Sequence, residues 1–212
     1  GLEGIKQIKS IKGNLSRSGT VENLLGKFEQ LHQVIIKSPT QLLSIAEQEQ
    51  QGNLANALNS IWKSNNENLR GNGDFRLPEM RRSLSEAWTT ATQVNFCAKA
   101  FPTVASNHKD NATLHVLAGY LRNGFLHRAI REQGGAYGGG ATQDSNSASF
   151  RFFSYRDPRL AETLNDFDAS LQWLMAGKHE NYQLEEAILG VIAALDKPAS
   201  PAGEAKQAFY NH

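Results

Sequence analysis

The clearest chemical signal in the sequence is a glycine-rich segment flanked by an arginine and a tyrosine. The segment IREQGGAYGGG covers residues 130–140, with Arg131 before its first two glycines and Tyr137 shortly after them. A guanidinium and a phenol both donate hydrogen bonds, and two donors directed at one point suit a carbonyl oxygen that gains negative charge. Five small residues form the candidate binding surface beside this pair: Gly134, Gly135, Ala136, Gly138 and Gly139.

The sequence leaves two interpretations of these glycines open. In one, Gly134 adopts the left-handed conformation that ends a helix, Gly135 eases the turn, and the later glycines form a bulge. In the other, the glycines at 138–140 keep a strand smooth, so that an extended peptide can approach it closely. A phosphate loop is excluded, because such a loop follows a strand and precedes a helix, whereas this segment has the opposite order.

The sequence contains no set of residues with the spacing of a metal site or a nucleophilic centre. Zinc peptidases use two histidines one helical turn apart, as H-E-x-x-H or H-x-x-E-H, and no two of the six histidines are four residues apart. The G-x-S-x-G motif of serine hydrolases is missing as well. Cys97 is expected to be a small buried hydrophobe. We therefore expect this chain to hold no metal or cofactor and to lack a complete active site.

Composition and charge narrow the classes of function. The 212 residues are 40% hydrophobic and 20% charged, which is typical of a globular protein, and the net charge is +1. A net charge this close to zero gives no basic surface for nucleic acid, so nucleic acid is not an expected partner. No apolar run is long enough to span a membrane, so a membrane is not an expected partner either. With one cysteine there is no internal disulfide, and we expect a soluble protein of a reducing compartment, such as a bacterial cytoplasm or an organelle matrix.

Periodicity predicts the elements that position the glycine segment. A long helix over 111–132 leads into it, and two strands over 136–143 and 147–156, joined by a hairpin turn, follow it. Alternating residues predict another strand over 86–101, and Asp157 is the expected N-cap of a following helix.

The rest of the chain is predicted to be mostly helical, in two units. Apolar residues at helical spacing predict helices over 2–12, 20–37, 53–62 and 182–195. A short apolar run predicts a strand over 40–48. Residues 64–84 are polar and rich in glycine and asparagine, and are expected to link units 1–63 and 85–212; the alternative is a long loop within one domain. The predicted class is α+β, with an antiparallel or mixed sheet and helices packed on one face.

One long segment resembles a known enzyme family. Residues 121–168, LRNGFLHRAIREQGGAYGGGATQDSNSASFRFFSYRDPRLAETLNDFD, resemble the C-terminal half of pitrilysin- and insulinase-type zinc metallopeptidases, in particular the presequence protease branch. The opening GLEGIKQIKSI and the later LDKPASPAG are similar to the same branch. The resemblance implies two halves, each of two α+β domains, that close around a chamber. Residues 1–63 would end the third domain, and residues 85–212 would form most of the fourth.

The resemblance also implies a division of roles between the two halves. The N-terminal half of such enzymes holds zinc, and a zinc-bound water attacks the peptide carbonyl with a glutamate as base. The C-terminal half supplies an arginine and a tyrosine to the substrate, and these positions match Arg131 and Tyr137. The implied partners are a zinc-bearing N-terminal half and an unfolded peptide, and the chain alone is expected to be inactive. The alternative is a non-catalytic scaffold, because some halves in this superfamily have lost catalysis.

Overall fold

The chain divides into two compact units. The computed structural model describes residues 1–38, 41–61, 83–177 and 179–210. One unit comprises Gly1–Ser83 with Ala199–His212, and the other comprises Leu84–Pro198. Most of the predicted linker lies outside the described residues, and the boundary between the units falls at its end. The end of the chain, predicted to belong with residues 85–198, is grouped with the first unit; the assignment of the units to successive peptidase-like domains stays a prediction.

Helices make up most of the described residues. In chain order the elements are α1 (Leu2–Asn14), α2 (Thr20–Lys37), α3 (Gln48–Ile61), β1 (Asn95–Pro102), α4 (Asn111–Leu121), a π-helix (Arg122–Gln133), β2 (Gly138–Asp144), β3 (Ser149–Asp157), α5 (Ala161–Met175), α6 (Asn181–Leu195) and α7 (Pro201–Tyr210). The helices predicted near the start of the chain and over 182–195 are confirmed, with α3 beginning earlier than expected. No helix in the described ranges is long and apolar enough to cross a membrane.

The strand predicted over 40–48 is wrong. Residues 41–47 have no regular structure and α3 begins at Gln48, while residues 39 and 40 lie outside the described residues. The described part of the first unit contains helices and no strand. An extended segment there has no neighbouring strand with which to pair its backbone hydrogen-bonding groups.

The second unit is built on a three-stranded antiparallel sheet in the order β1-β3-β2. Phe150, Phe152 and Ser154 alternate along β3 on its buried face, which is the pattern of a strand with one face against a core. α4 and the π-helix pack against β2, and α5 packs against β1. The predicted α+β class is therefore confirmed.

The core of this unit lies between the sheet and its helices. Phe150 and Phe152 of β3 pack with Leu126 and Ile130 of the π-helix, and Phe167 of α5 stacks on Phe152 with ring centroids 5.6 Å apart. Burying a side chain of this size stabilises the fold by about 1.5–3 kcal/mol. The core therefore holds the π-helix firmly against the sheet at the point where the glycine segment begins.

β1 is shorter than the strand predicted over 86–101. Its first residue, Asn95, pairs with Asp157, which is the last residue of β3, so residues 86–94 have no strand beside them. Within β1, Phe96 is 66% exposed, whereas Cys97 is buried as predicted.

Asp157 does not cap the next helix as predicted, because α5 begins only at Ala161. Asp157 is fully buried at the end of β3. Its carboxylate accepts hydrogen bonds from the Thr163 hydroxyl at 2.7 Å and from the Arg159 amide at 2.9 Å. The carboxylate therefore anchors the connection between the sheet and α5.

Candidate functional site

The helix that carries Arg131 changes its winding before it reaches the glycine segment. It is α-helical to Leu121 and π-helical from Arg122 to Gln133. Arg122 and Arg131 are nine residues apart, which is about two and a half turns of an α-helix and would place them on opposite faces. With the i→i+5 hydrogen bonds of a π-helix, nine residues make about two turns. The wider winding therefore brings both arginines to the same side, where they line one pocket.

The turn after the π-helix closes with two nested hydrogen bonds. The Gly135 amide donates to the Arg131 carbonyl, and the Ala136 amide donates to the Ile130 carbonyl, both at 3.1 Å. Gly135 is left-handed, with φ 78°, whereas Gly134 keeps a helical φ of −84°. The capping interpretation expects Gly134 to be the left-handed residue, and the structure gives this conformation to the next residue, because the wide last turn takes one more residue before the chain reverses.

Two of the strand glycines leave room for side chains that line the site. An added Cβ at Gly138 would lie 2.6 Å from the Tyr155 ring, and one at Gly140 would lie 2.8 Å from Cγ of Arg122. Both distances are too short for real contacts, so a side chain at either position would displace Tyr155 or Arg122. Glycine at these two positions of β2 therefore makes room for the side chains of Tyr155 and Arg122.

The other glycines are required by the core and by an arginine behind the turn. An added Cβ at Gly139 would lie 2.9 Å from the Ile130 side chain. One at Gly134 would overlap the guanidinium of Arg159, which donates hydrogen bonds to the Ala129 carbonyl and to the Asp166 carboxylate of α5. Gly134 thus permits a connection between the π-helix and α5.

A pocket of about 560 Å³ opens beside the glycine segment within the second unit. The π-helix, β2 with the residue before it, β3 and α6 all contribute to its wall. Four of the predicted site residues line it: Arg131, Tyr137, Gly138 and Gly139. The other three form the turn beside it and are not in its wall: Gly134, Gly135 and Ala136.

Arg131 and Tyr137 bring unpaired donors to this pocket. Within the part of the chain that the structure describes, neither side chain has a hydrogen bond or an ion pair. Tyr137 is 62% exposed, its ring lies 5.5 Å from the Tyr155 ring, and the guanidinium carbon of Arg156 is 5.5 Å from its centroid. The ring is thus held by these two contacts, and the hydroxyl is left available to a ligand.

The sequence did not single out three further charged or titratable residues of the pocket. Arg122 and His127 come from the π-helix and Glu186 from α6. His127 Nδ1 lies 3.2 Å from a carboxylate oxygen of Glu132. α-Helical spacing places Arg122 opposite Arg131, and no local pattern links Glu186 to the glycine segment, so only the packed structure brings them together.

The described residues contain neither a metal-ligand cluster nor an activated thiol. No group of three or more histidine, cysteine, aspartate or glutamate side chains is arranged there to hold a metal ion. Burial raises the pKa of the Cys97 thiol, and the nearby Asp157 charge raises it further, while the neighbouring Ser154 side chain opposes this. The thiol is therefore protonated at neutral pH and a poor nucleophile.

Comparison with known proteins places this architecture in a family. Residues 85–212, more than half of the chain, match the family described as "PreP C-terminal domain". The chain belongs to this family. The matched residues include the sheet, the π-helix and every residue that lines the pocket. The resemblance stated from the sequence is confirmed.

The relatives that match this chain include three proteins named "Presequence protease, mitochondrial". The protein from Yarrowia lipolytica is 31% identical over 223 residues, which cover 99% of this chain and 22% of that protein. The Danio rerio protein is 41% identical over 118 residues, or 56% of this chain and 11% of that protein. The Drosophila melanogaster protein is 46% identical over 110 residues, or 51% and 10%. The matched regions thus span about a fifth or less of these curated relatives.

Proposed function

We propose that this chain is the substrate-binding, zinc-free C-terminal part of a zinc metallopeptidase that degrades unstructured peptides. Arg131 and Tyr137 donate hydrogen bonds to the oxygen of the scissile carbonyl. The observation that carries the proposal is that both side chains line one pocket and that neither forms a hydrogen bond or an ion pair within the described chain. Membership in the PreP C-terminal domain family supports the same reaction class.

The two donors differ in when they act. The guanidinium of Arg131 is always charged and can grip a peptide carbonyl before any reaction occurs. The Tyr137 hydroxyl is a neutral donor, and its hydrogen bond strengthens as the carbonyl oxygen becomes negative. Arg131 therefore contributes to binding and to the reaction, and Tyr137 mainly to the reaction.

The position of β2 supports the binding of an extended peptide. β2 is an edge strand of the described sheet, and its first residues, Gly138 and Gly139, line the pocket. An edge strand presents backbone donors and acceptors to which an unfolded peptide can add as a further strand. A peptide added there passes the side chains of Arg131 and Tyr137.

The attacking group must come from outside this chain. The described residues do not fit a zinc ion, because they contain no cluster of suitable ligands. The proposal therefore requires a zinc-bearing N-terminal half of the same protein as partner. This chain supplies the hydrogen bonds that hold and polarise the carbonyl.

Kinetics of the full-length protease test the proposal. Arg131→Ala and Tyr137→Phe should each lower kcat for an unstructured peptide by about 10²–10³, as the loss of one oxyanion donor does. KM should rise for Arg131→Ala and change less for Tyr137→Phe. Arg128→Ala is the matched control, because Arg128 is exposed on the same helix and does not line the pocket.

Unchanged kcat in both variants would refute the role of the pair. A wild-type full-length protein that binds peptides without cleaving them would instead favour a non-catalytic scaffold.

A further inference from the structure

A second guanidinium lines the same pocket. Arg122, at the start of the π-helix, shares the pocket wall with Arg131. Their common side follows from the π winding, since an α-helix would turn Arg122 away. A π-helical segment is strained relative to an α-helix and is found often at functional sites. The π winding thus makes Arg122 a candidate ligand-binding residue of the pocket.

The stem of Arg122 is seated on the sheet. Its Cγ and Cδ occupy the space that a side chain at Gly140 would fill, at 2.8 and 2.9 Å from the position of an added Cβ. The packed stem restricts the rotamers of the side chain before any ligand binds. A pre-positioned guanidinium loses less conformational entropy on binding than a free surface arginine does.

The charges around Arg122 are not neutralised within the described chain. Neither Arg122 nor Arg131 forms an ion pair with the carboxylate of Glu186, the acidic residue in the pocket wall. Two guanidinium charges therefore face one carboxylate, and the pocket carries an excess of positive charge. Such a pocket attracts an anionic group.

We propose that Arg122 binds a carboxylate of the peptide substrate, as an anchor beside the carbonyl-binding pair. This inference rests on the proposed function, because it assigns the anion to a peptide. The planar guanidinium can bind a carboxylate through two parallel hydrogen bonds. The carboxylate belongs either to an acidic side chain or to the C-terminus of the peptide. Arg122 is thus a specificity-determining residue, which selects peptides by charge.

Equilibrium binding to the full-length protease, in the presence of a chelator that stops cleavage, tests this inference. Three labelled peptides of one sequence serve as probes: an amidated neutral peptide, the same peptide with a free C-terminal carboxylate, and the amidated peptide with one Gln→Glu change. We expect at least one carboxylate-bearing peptide to bind about tenfold more tightly than the neutral one. The peptide that shows the preference identifies the source of the carboxylate.

Substitutions at Arg122 test whether this residue causes the preference for a carboxylate-bearing peptide. Arg122→Gln should abolish the preference for a carboxylate, and Arg122→Lys should retain part of it, because lysine keeps the charge but not the planar fork. Arg128→Gln, on the same helix but outside the pocket wall, should leave it intact. Equal binding of all three peptides by the wild type, or a preference that persists in Arg122→Gln, overturns the inference alone. No binding of any peptide overturns the proposed function as well.

Discussion

Arg156 adopts a left-handed backbone conformation, with φ 50°, beside the proposed carbonyl-binding pair. Asn95 pairs with Asp157 and Phe96 with Tyr155, so Arg156 is the extra residue of a β-bulge in β3. Its carbonyl accepts a hydrogen bond from the Tyr137 amide at 3.3 Å, and its guanidinium lies over the Tyr137 ring. The bulge therefore connects a strained backbone to a residue of the site, an association that is common at functional sites.

Two substitutions at Arg156 separate the backbone from the side chain. Arg156→Ala and Arg156→Gly both remove the contact with the Tyr137 ring, but only glycine accepts φ 50° without strain. We expect the free energy of unfolding to be about 1 kcal/mol higher for Arg156→Gly than for Arg156→Ala. Denaturant unfolding of both variants measures the difference, and equal stabilities would show that the left-handed conformation carries no strain.

At the residue scale, the sequence identifies the hydrogen-bond donors of the site better than it predicts the backbone conformation around them. The types and the spacing of Arg131 and Tyr137 mark them as a pair, and both line the pocket. Gly134 was assigned the conformation that Gly135 adopts, and Arg122 was missed. Both differences arise from the π winding, which depends on how the helix packs and leaves no periodic signal in the sequence.

At the scale of elements, the β2–β3 hairpin was predictable because its turn chemistry is local. Asp144 accepts hydrogen bonds from the amides of Asn146 and Ser147, at 3.0 and 3.3 Å, as expected for an aspartate that begins a turn. The limits of β1 were not predictable, because they are set by the length of a strand more than forty residues later in the chain. Turns follow from local residues, whereas strand ends follow from the partner strand.

The packing of the helices predicts that glycine-to-alanine substitutions at two positions change the stability of the fold in opposite directions. An added Cβ at Gly124 of the π-helix would lie 3.0 Å from Cζ2 of Trp173 and closer still to another atom of the same ring. Gly124→Ala should therefore destabilise the fold by about 1–3 kcal/mol, as overpacking does. Gly119 of α4 is the control, because an added Cβ there makes only ordinary contact with Ala187, at 3.9 Å.

Gly119→Ala should stabilise the fold by about 0.5–1 kcal/mol, because alanine restricts the unfolded chain and favours helix. Thermal or denaturant unfolding of the two variants provides the comparison. A loss of stability in Gly119→Ala equal to that in Gly124→Ala would mean that the Trp173 contact does not decide the result.

On the scale of the whole molecule, the two units differ in how well they bury apolar side chains. The second unit has a core that includes fully buried Leu121, Leu126, Phe152 and Phe167. α2 of the first unit has no buried residue, although its sequence is amphipathic. Its large apolar side chains are strongly exposed: Leu25 at 60%, Phe28 at 58%, Leu31 at 57%, Val34 at 63% and Ile35 at 68%. A face of this kind is typical of an interaction surface.

We expect this difference to appear in amide hydrogen exchange. In the isolated chain, amides of α2 should exchange at least about 100-fold faster than those of β3, because a helix with few buried contacts opens locally. In the full-length protein we expect α2 to be protected, because the rest of the protein would cover its apolar face. The amides of β3 should exchange alike in both samples, because β3 is packed within its own unit. Equal protection of α2 and β3 in the isolated chain, or no gain for α2 in the full-length protease, would contradict this account of the first unit.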